Sequence, residues 1–257
     1  MKLNRTLRDC VYGMAVGDAL GVPFEFKPRG SFECTDMVGG GSHNQLAGTW
    51  SDDTSMALAL CDSYRELGRV DCDDILRRFR AWINDGAYTA DGVAFDYGNA
   101  TRKALATGRG GTGEWDKGNG SLMRCLPMAF MDCTSAEVGA VSAITHATDA
   151  CMDACEKMIR YAARLMREGA PAGESAGEPS GSSGYVWDTY NAAIWCLEHT
   201  ESYKECVLTA VNLGDDTDTT ACVAGGLAGI LYGREAIPPE WLATLRGKDV
   251  IEACLFE

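Results

Sequence analysis

Apolar residues recur along this chain at helical spacing and almost nowhere at strand spacing. Ile75, Phe79, Trp82 and Ile83 form one stripe; Met158, Ile159, Ala162, Leu165 and Met166 form a second. Val186, Tyr190, Ile194 and Leu197 form a third, and Val207, Ala210 and Val211 continue the theme. Steps of three and four put each set on one helix face. Runs that alternate with period two and favour β-branched residues are nearly absent, so the expected fold is all-α. A chain of 257 residues, 46% of them apolar, is long enough to bury a full core. One segment of low complexity, 169–184 (GAPAGESAGEPSGSSG), fits neither a helix interior nor a central strand. Helical text resumes unchanged after it. We therefore expect a single domain over 1–257, with 169–184 as a flexible loop between two helices.

The first helical stretch is unusual. Gly13, Gly17 and Gly21 recur every four residues, with Ala15 and Ala19 between them. Glycine costs helix stability. Three on one face point to close backbone contact or close approach of a ligand. Residues 108–120 (GRGGTGEWDKGNG) are also glycine-rich, but they lack the Gly-Lys-Ser/Thr ending of a phosphate-binding P-loop and follow helix-like sequence. A backbone loop wrapped around a ligand is the better reading.

Charge excludes some partners. The chain has 37 acids against 23 bases, a net charge of -14. Nucleic-acid binding needs clustered Lys and Arg, and anionic membranes repel an acidic surface, so neither partner is expected. The start, MKLNRTLRDC, is interrupted by charges, and no run approaches the ~20 apolar residues of a membrane helix. Twelve cysteines include no CxxC pair and sit mostly in apolar runs, the pattern of buried thiols in a reducing cell. Together these point to a cytoplasmic protein. Its oligomeric state is not legible.

Two acidic clusters stand at the mouths of apolar helices. One is Gly48-Thr49-Trp50-Ser51-Asp52-Asp53-Thr54; the other is Gly214-Asp215-Asp216-Thr217-Asp218-Thr219-Thr220. Either alone is explained by helix capping and the helix dipole. As a pair they would repel one another if brought together, and a divalent cation cancels that repulsion. Carboxylate and hydroxyl oxygens suit Mg²⁺, Mn²⁺ or Ca²⁺. Three histidines and no CxxC make zinc a poor fit.

These segments, with five others in matching order, resemble the ADP-ribosylglycohydrolases, a family that includes the dinitrogenase-reductase-activating glycohydrolase. The resemblance is carried by GMAVGDALGVPFEF (13–26), TWSDDTSMALAL (49–60), DYGNATRKAL (96–105), KGNGSLMRCLP (117–127), SAITHATDA (142–150), GYVWDTYNAAIWCL (184–197) and GDDTDTTACVAGGLAG (214–229). It implies a compact, orthogonal all-α bundle with a central cleft for two metals, Mg²⁺ or Mn²⁺. Carried over by position, Ser51, Asp52, Asp53, Asp216, Asp218 and Thr219 are the metal ligands. Family members usually carry Thr where Ser51 stands and Gly where Asp215 stands; serine keeps the ligating hydroxyl, and Asp215 is read as outlying.

The implied reaction removes ADP-ribose from a modified protein side chain, arginine-linked by first expectation, or from a small ADP-ribose conjugate. A metal-activated water attacks the anomeric carbon of the distal ribose, through an oxocarbenium-like transition state. Candidate bases are Asp52, Asp53 and Asp218. Glu25, flanked by Phe24 and Phe26, is a further catalytic candidate if it is desolvated, and otherwise a surface turn acid. Gly118, Asn119, Gly120, Ser121 and Met123 belong to the implied substrate loop, unless Asn119-Gly120 is an ordinary turn. His146 is placed near the diphosphate or is a core histidine. Gly184 and Tyr185 stand beside the adenine or distal ribose, or Tyr185 packs in the core. Asp96 meets the ribose or caps a helix. Two rival readings stay open: a two-metal hydrolase of phosphate esters, and a non-catalytic ADP-ribose-binding relative.

Overall fold

The computed structural model describes residues 3–257. Among them are eleven α-helices and no sheet, only three isolated β-bridges. The expected stripes lie on buried helix faces. Ile75, Phe79 and Trp82 are the buried side of α3 (Cys72–Asp85), and Met158, Ala162 and Leu165 that of α6 (Asp149–Glu168). Val186, Tyr190, Ile194 and Leu197 are buried on α7 (Val186–Glu198), as are Val207, Ala210 and Val211 on α8 (Tyr203–Asn212).

Two helices have almost no exposed side. In α1 (Leu7–Gly21) every residue from Cys10 onward is buried. In α9 (Thr217–Tyr232) burial is continuous from Thr217 to Ile230. A helix apolar on all sides belongs at the centre of a bundle, and these two pack on each other, with α7 and α8 against α9. The glycine period of α1 explains how. A Cβ on Gly13 would lie 2.2 Å from the Gly225 carbonyl oxygen, one on Gly17 2.0 Å from that of Ala221, and one on Gly21 2.3 Å from the Asp218 Cα. As numbers rise along α1 they fall along α9, so the pair is antiparallel. The acidic first turn of α9 is thereby set at the C-terminal end of α1, where the Thr217 hydroxyl donates to the Gly21 carbonyl at 2.8 Å.

The remaining helices are α2 (Asp52–Leu67), α4 (Asn99–Thr107), α5 (Ser135–Ala143), α10 (Pro239–Thr244) and α11 (Lys248–Cys254). Helix α2 begins at the first acidic cluster, and its residues 52–63 are buried. The 169–184 segment is irregular and is tied at several points. Glu198 accepts from the amides of Glu174 and Ser175 at 2.9 and 2.8 Å, and Arg29 pairs with Glu178 at 2.7 Å. All twelve cysteines are free thiols. No helix among the described residues is long and apolar enough to cross a membrane.

Candidate active site

The N-termini of α2 and α9 converge beside the C-terminus of α1. Each carries the positive end of a helix dipole, which partly offsets the acids gathered there. Ser51 caps α2, its hydroxyl accepting from the Asp53 amide at 3.3 Å and donating to Asp53 Oδ2 at 2.8 Å. Thr219 donates to the same Asp53 oxygen at 3.4 Å, across the gap between the two helices. Asp216 accepts from the Asn119 side-chain amide at 2.8 Å. Asp52, buried at the start of α2, lies close enough to Asp96, Asp53, Asp18 and Glu25 for their charges to raise it. The six residues of the implied ligand set are thus brought together from two ends of the chain.

Asp18 was not foreseen. It is fully buried on the last turn of α1. Its carboxylate accepts from the Ser51 amide at 2.9 Å, the Thr54 amide at 3.1 Å and the Thr54 hydroxyl at 2.6 Å. It therefore pins the start of α2 to α1. Carboxylate oxygens of Asp18, Asp53 and Asp218 all lie within 4.8 Å of one another. A clue was present in the sequence: Asp18 is the lone charge in the apolar run 10–24.

Electrostatics make the cluster costly as it stands. Burial, with the neighbouring acids, pushes Asp52, Asp53 and Asp218 well above the ordinary carboxylate range. Burial raises Asp18 to about 7. Asp53 Oδ1 and Asp218 Oδ2 are buried without any hydrogen-bond partner. Buried orphan carboxylate oxygens are rare, because each forfeits its solvation. An all-oxygen donor set with orphaned anionic atoms fits a hard divalent cation.

This has a measurable consequence. Acids raised in the folded state bind protons more tightly there than when unfolded, so without cations they favour folding below about pH 4. That contribution drains away as pH rises through about 7 to 8, where Asp18 and Glu25 titrate. A cation replaces the protons. Adding Mg²⁺ or Mn²⁺ should therefore raise the melting temperature more at pH 8 than at pH 5.5. Equal increments at both pH values in thermal unfolding scans would contradict the cluster as a cation site.

A second group borders the first. Glu25 is buried, 5% exposed, so it is no surface turn acid. Its environment differs from the expected one. Phe26 is 66% exposed and Phe24 stacks on Phe32, so the flanking aromatics do not enclose it. His43 does: its Nε2 lies 2.5 Å from Glu25 Oε2 and 3.4 Å from Asp96 Oδ1. Burial, then the charge of Asp216, pushes Glu25 up to about 8. Burial also raises Asp96 to about 6, against a hydrogen bond with Asp218. Asp96 does not cap a helix, since Gly98 stands at the start of α4. Nothing in the sequence around His43 announced its place, because it comes from an irregular loop that only tertiary packing positions.

The loop 117–123, expected to meet substrate, is held by backbone pairing to the end of the 169–184 segment. Asn119 N donates to Gly184 O at 3.0 Å, and Val186 N to Lys117 O at 3.1 Å. Several expectations change here. The Asn119 amide is spent on this pairing, and its side chain holds Asp216 and Thr189. Ser121 is fully buried and accepts from Ser142 at 2.9 Å. Met123 is 2% exposed and belongs to the core. Ser121 and Met123 therefore support the loop from behind; their side chains do not line the groove. The amides of Gly120 and Ser121 make no hydrogen bond within the described protein. Tyr185 is 41% exposed, so it is not core packing. With Trp115, Lys117, Gly118 and Gly184 it lines a groove of about 360 Å³.

A family model of the ADP-ribosylglycohydrolases matches residues 2–178 and 156–256. The chain belongs to the ADP-ribosylglycohydrolase family. Among its relatives is the ADP-ribosylarginine hydrolase Tri1 of Pseudomonas putida (strain GB-1), 36% identical over 270 residues, covering 91% of this chain and 72% of that protein. The ADP-ribosyl-[dinitrogen reductase] glycohydrolase of Rhodospirillum rubrum is 33% identical, covering 91% of this chain and 87% of that one. A solved structure described as an ADP-ribosylglycohydrolase-related protein complex superposes with a TM-score of 0.82 at 32% identity, over 96% of this chain and 94% of its own. The hydrolase fold of this family is all-α, as found here.

Proposed function

We propose that this member of the family releases ADP-ribose from arginine side chains of modified proteins. The observation that carries the reading is the buried acid cluster with two orphaned carboxylate oxygens, set beside a loop with two free amides. The relatives named for ADP-ribosylarginine and for ADP-ribosyl-dinitrogen reductase support the substrate.

Ser51, Asp52, Asp53, Asp216, Asp218 and Thr219 would hold two divalent cations, Mg²⁺ or Mn²⁺. When bound, such ions supply positive charge that orients ribose hydroxyls and acidifies water. The protein does the rest. The Gly120 and Ser121 amides meet diphosphate oxygens, as backbone nests do. Tyr185 and Trp115 offer aromatic faces to the adenine. Asn119 fixes Asp216, and Asp18 fixes the start of α2, so the acids keep their geometry through turnover. Glu25, Asp52, Asp53 and Asp218 are the candidates to take a proton from the attacking water. Free thiols throughout fit a reducing compartment such as the cytoplasm.

Tyr185→Ala should raise KM for an ADP-ribosylated protein roughly tenfold with little change in kcat, since stacking on a base is worth about 1–3 kcal/mol. An unchanged KM would remove Tyr185 from the ligand groove. The linkage is tested by offering arginine-linked and serine-linked ADP-ribosyl peptides and a simple phosphodiester side by side. Preference for the arginine linkage supports the proposal. Turnover of the phosphodiester alone would favour phosphate-ester hydrolysis instead.

A further inference from the structure

Arg124 is fully buried, and its guanidinium hydrogen-bonds no carboxylate among the described residues. Its guanidinium lies over the Phe79 ring at 4.9 Å, and its Nε and Nη1 have no partner. The third nitrogen, Nη2, donates to the Val141 carbonyl at 3.2 Å and to the Thr145 hydroxyl at 2.8 Å. The Thr145 oxygen lies 2.9 Å from His146 Nδ1. The contacts fix the direction of the Arg124 bonds, and the Thr145 proton bears on the remaining one. Guanidinium only donates, so Thr145 accepts from Arg124. Thr145 is fully buried, and a buried hydroxyl proton without an acceptor is costly; His146 Nδ1 is the acceptor within reach. A neutral imidazole that accepts at Nδ1 carries its proton on Nε2.

The imidazole is held neutral. His146 is 3% exposed, and burial, helped by Arg124, pushes it down to about 4. Its Nε2 edge lies against the substrate loop. A Cβ on Gly120 would stand 2.6 Å from Cε1 and 3.3 Å from Nε2, and one on Gly118 3.4 Å from Nε2. The two glycines thus let the loop backbone come close to the ring edge without a side chain over it, and Nε2 has no hydrogen-bond partner among the described residues.

We propose that Arg124 and Thr145 form a relay that locks His146 in its Nε2–H tautomer, so that a neutral ring presents a donor to an anionic oxygen of the ligand at Gly118–Gly120. The identity of that oxygen, a diphosphate oxygen of ADP-ribose, rests on the proposed function. Arg124 and Thr145 are positioning residues that act through His146. A neutral donor binds the anion without the desolvation cost of a buried second charge. It also cannot surrender a proton from Nδ1, which the relay keeps unprotonated.

The test is the ¹⁵N spectrum of the imidazoles in the Mg²⁺-loaded protein, with the His146 signals identified by their loss in His146→Gln. The relay predicts a protonated-type shift at Nε2 and an unprotonated-type shift at Nδ1. Thr145→Val should abolish that single tautomer and weaken ADP-ribose binding about tenfold or more, the scale of a hydrogen bond to a charged group. Thr145→Ser should restore both. A proton found on Nδ1 in the wild type, or a Thr145→Val spectrum unchanged from it, overturns the relay. The tautomer is read without ligand, so it stands apart from the ADP-ribose reading. Failure of the wild type to bind ADP-ribose would count against the proposed function alone.

Discussion

Asp218→Asn should lower turnover of an ADP-ribosylated substrate by about a thousandfold while leaving the fold intact. The scale is that of deleting one preorganised electrostatic group from an active site. Asp218 lies in the first turn of α9, is 1% exposed, and keeps one carboxylate oxygen without any partner. The change preserves volume and removes the charge that a cation needs. It also relieves repulsion from Asp53, Asp96 and Glu25, all of which raise Asp218. The variant should therefore be at least as stable as the wild type without added metal, and should gain less melting temperature from Mg²⁺. Circular dichroism, calorimetry of metal binding and initial rates separate these effects. Wild-type turnover by Asp218→Asn would place the chemistry elsewhere.

Gly17→Ala should destabilise the protein by about 3 kcal/mol or more, the upper range for overpacking a core. For a chain of this size that corresponds to roughly 6–12 °C in melting temperature. The new Cβ would meet the Ala221 carbonyl oxygen at 2.0 Å and its carbon at 2.6 Å. Those are backbone atoms of the central partner helix, so no rotamer change relieves the clash. Helix α1 must move off α9, and the movement reaches the site, because Asp18 is the next residue and Gly21 abuts Asp218. Metal affinity should fall together with stability. Gly139→Ala is the control: it lies in helix α5, and the nearest atom its Cβ would meet beyond its own helix backbone is the Met152 sulfur at 3.7 Å. Helix propensity alone should make that change neutral or stabilising, by up to about 1 kcal/mol. A similar loss in both variants would show that the α1–α9 contact has no special tightness.

Helical periodicity made the all-α architecture legible, because each stripe needs only local spacing to be read. The glycine period of α1 was legible as a demand for close approach, and α9 supplies the partner. The two acid clusters were visible because charge before an apolar helix is conspicuous. What the sequence hid depends on tertiary placement. Asp18 sits within a glycine-spaced apolar helix, and its role depends on α2 being packed beside it. His43 comes from a loop with no periodicity, and only folding carries it to Glu25 and Asp96. Ser121 and Met123 belong to the glycine-flanked loop but face the core, since an irregular loop gives no rule for which side chains point outward. Arg124 reads in sequence as an ordinary charge, and its burial over Phe79 is a property of the packed bundle.

Release of ADP-ribose from an arginine-ADP-ribosylated protein, measured with Mg²⁺, with Mn²⁺ and with EDTA, tests the central claim most directly. The account predicts release with at least one of the two cations and none in EDTA. Release that continues undiminished in EDTA, or no release under any of the three conditions, would contradict it.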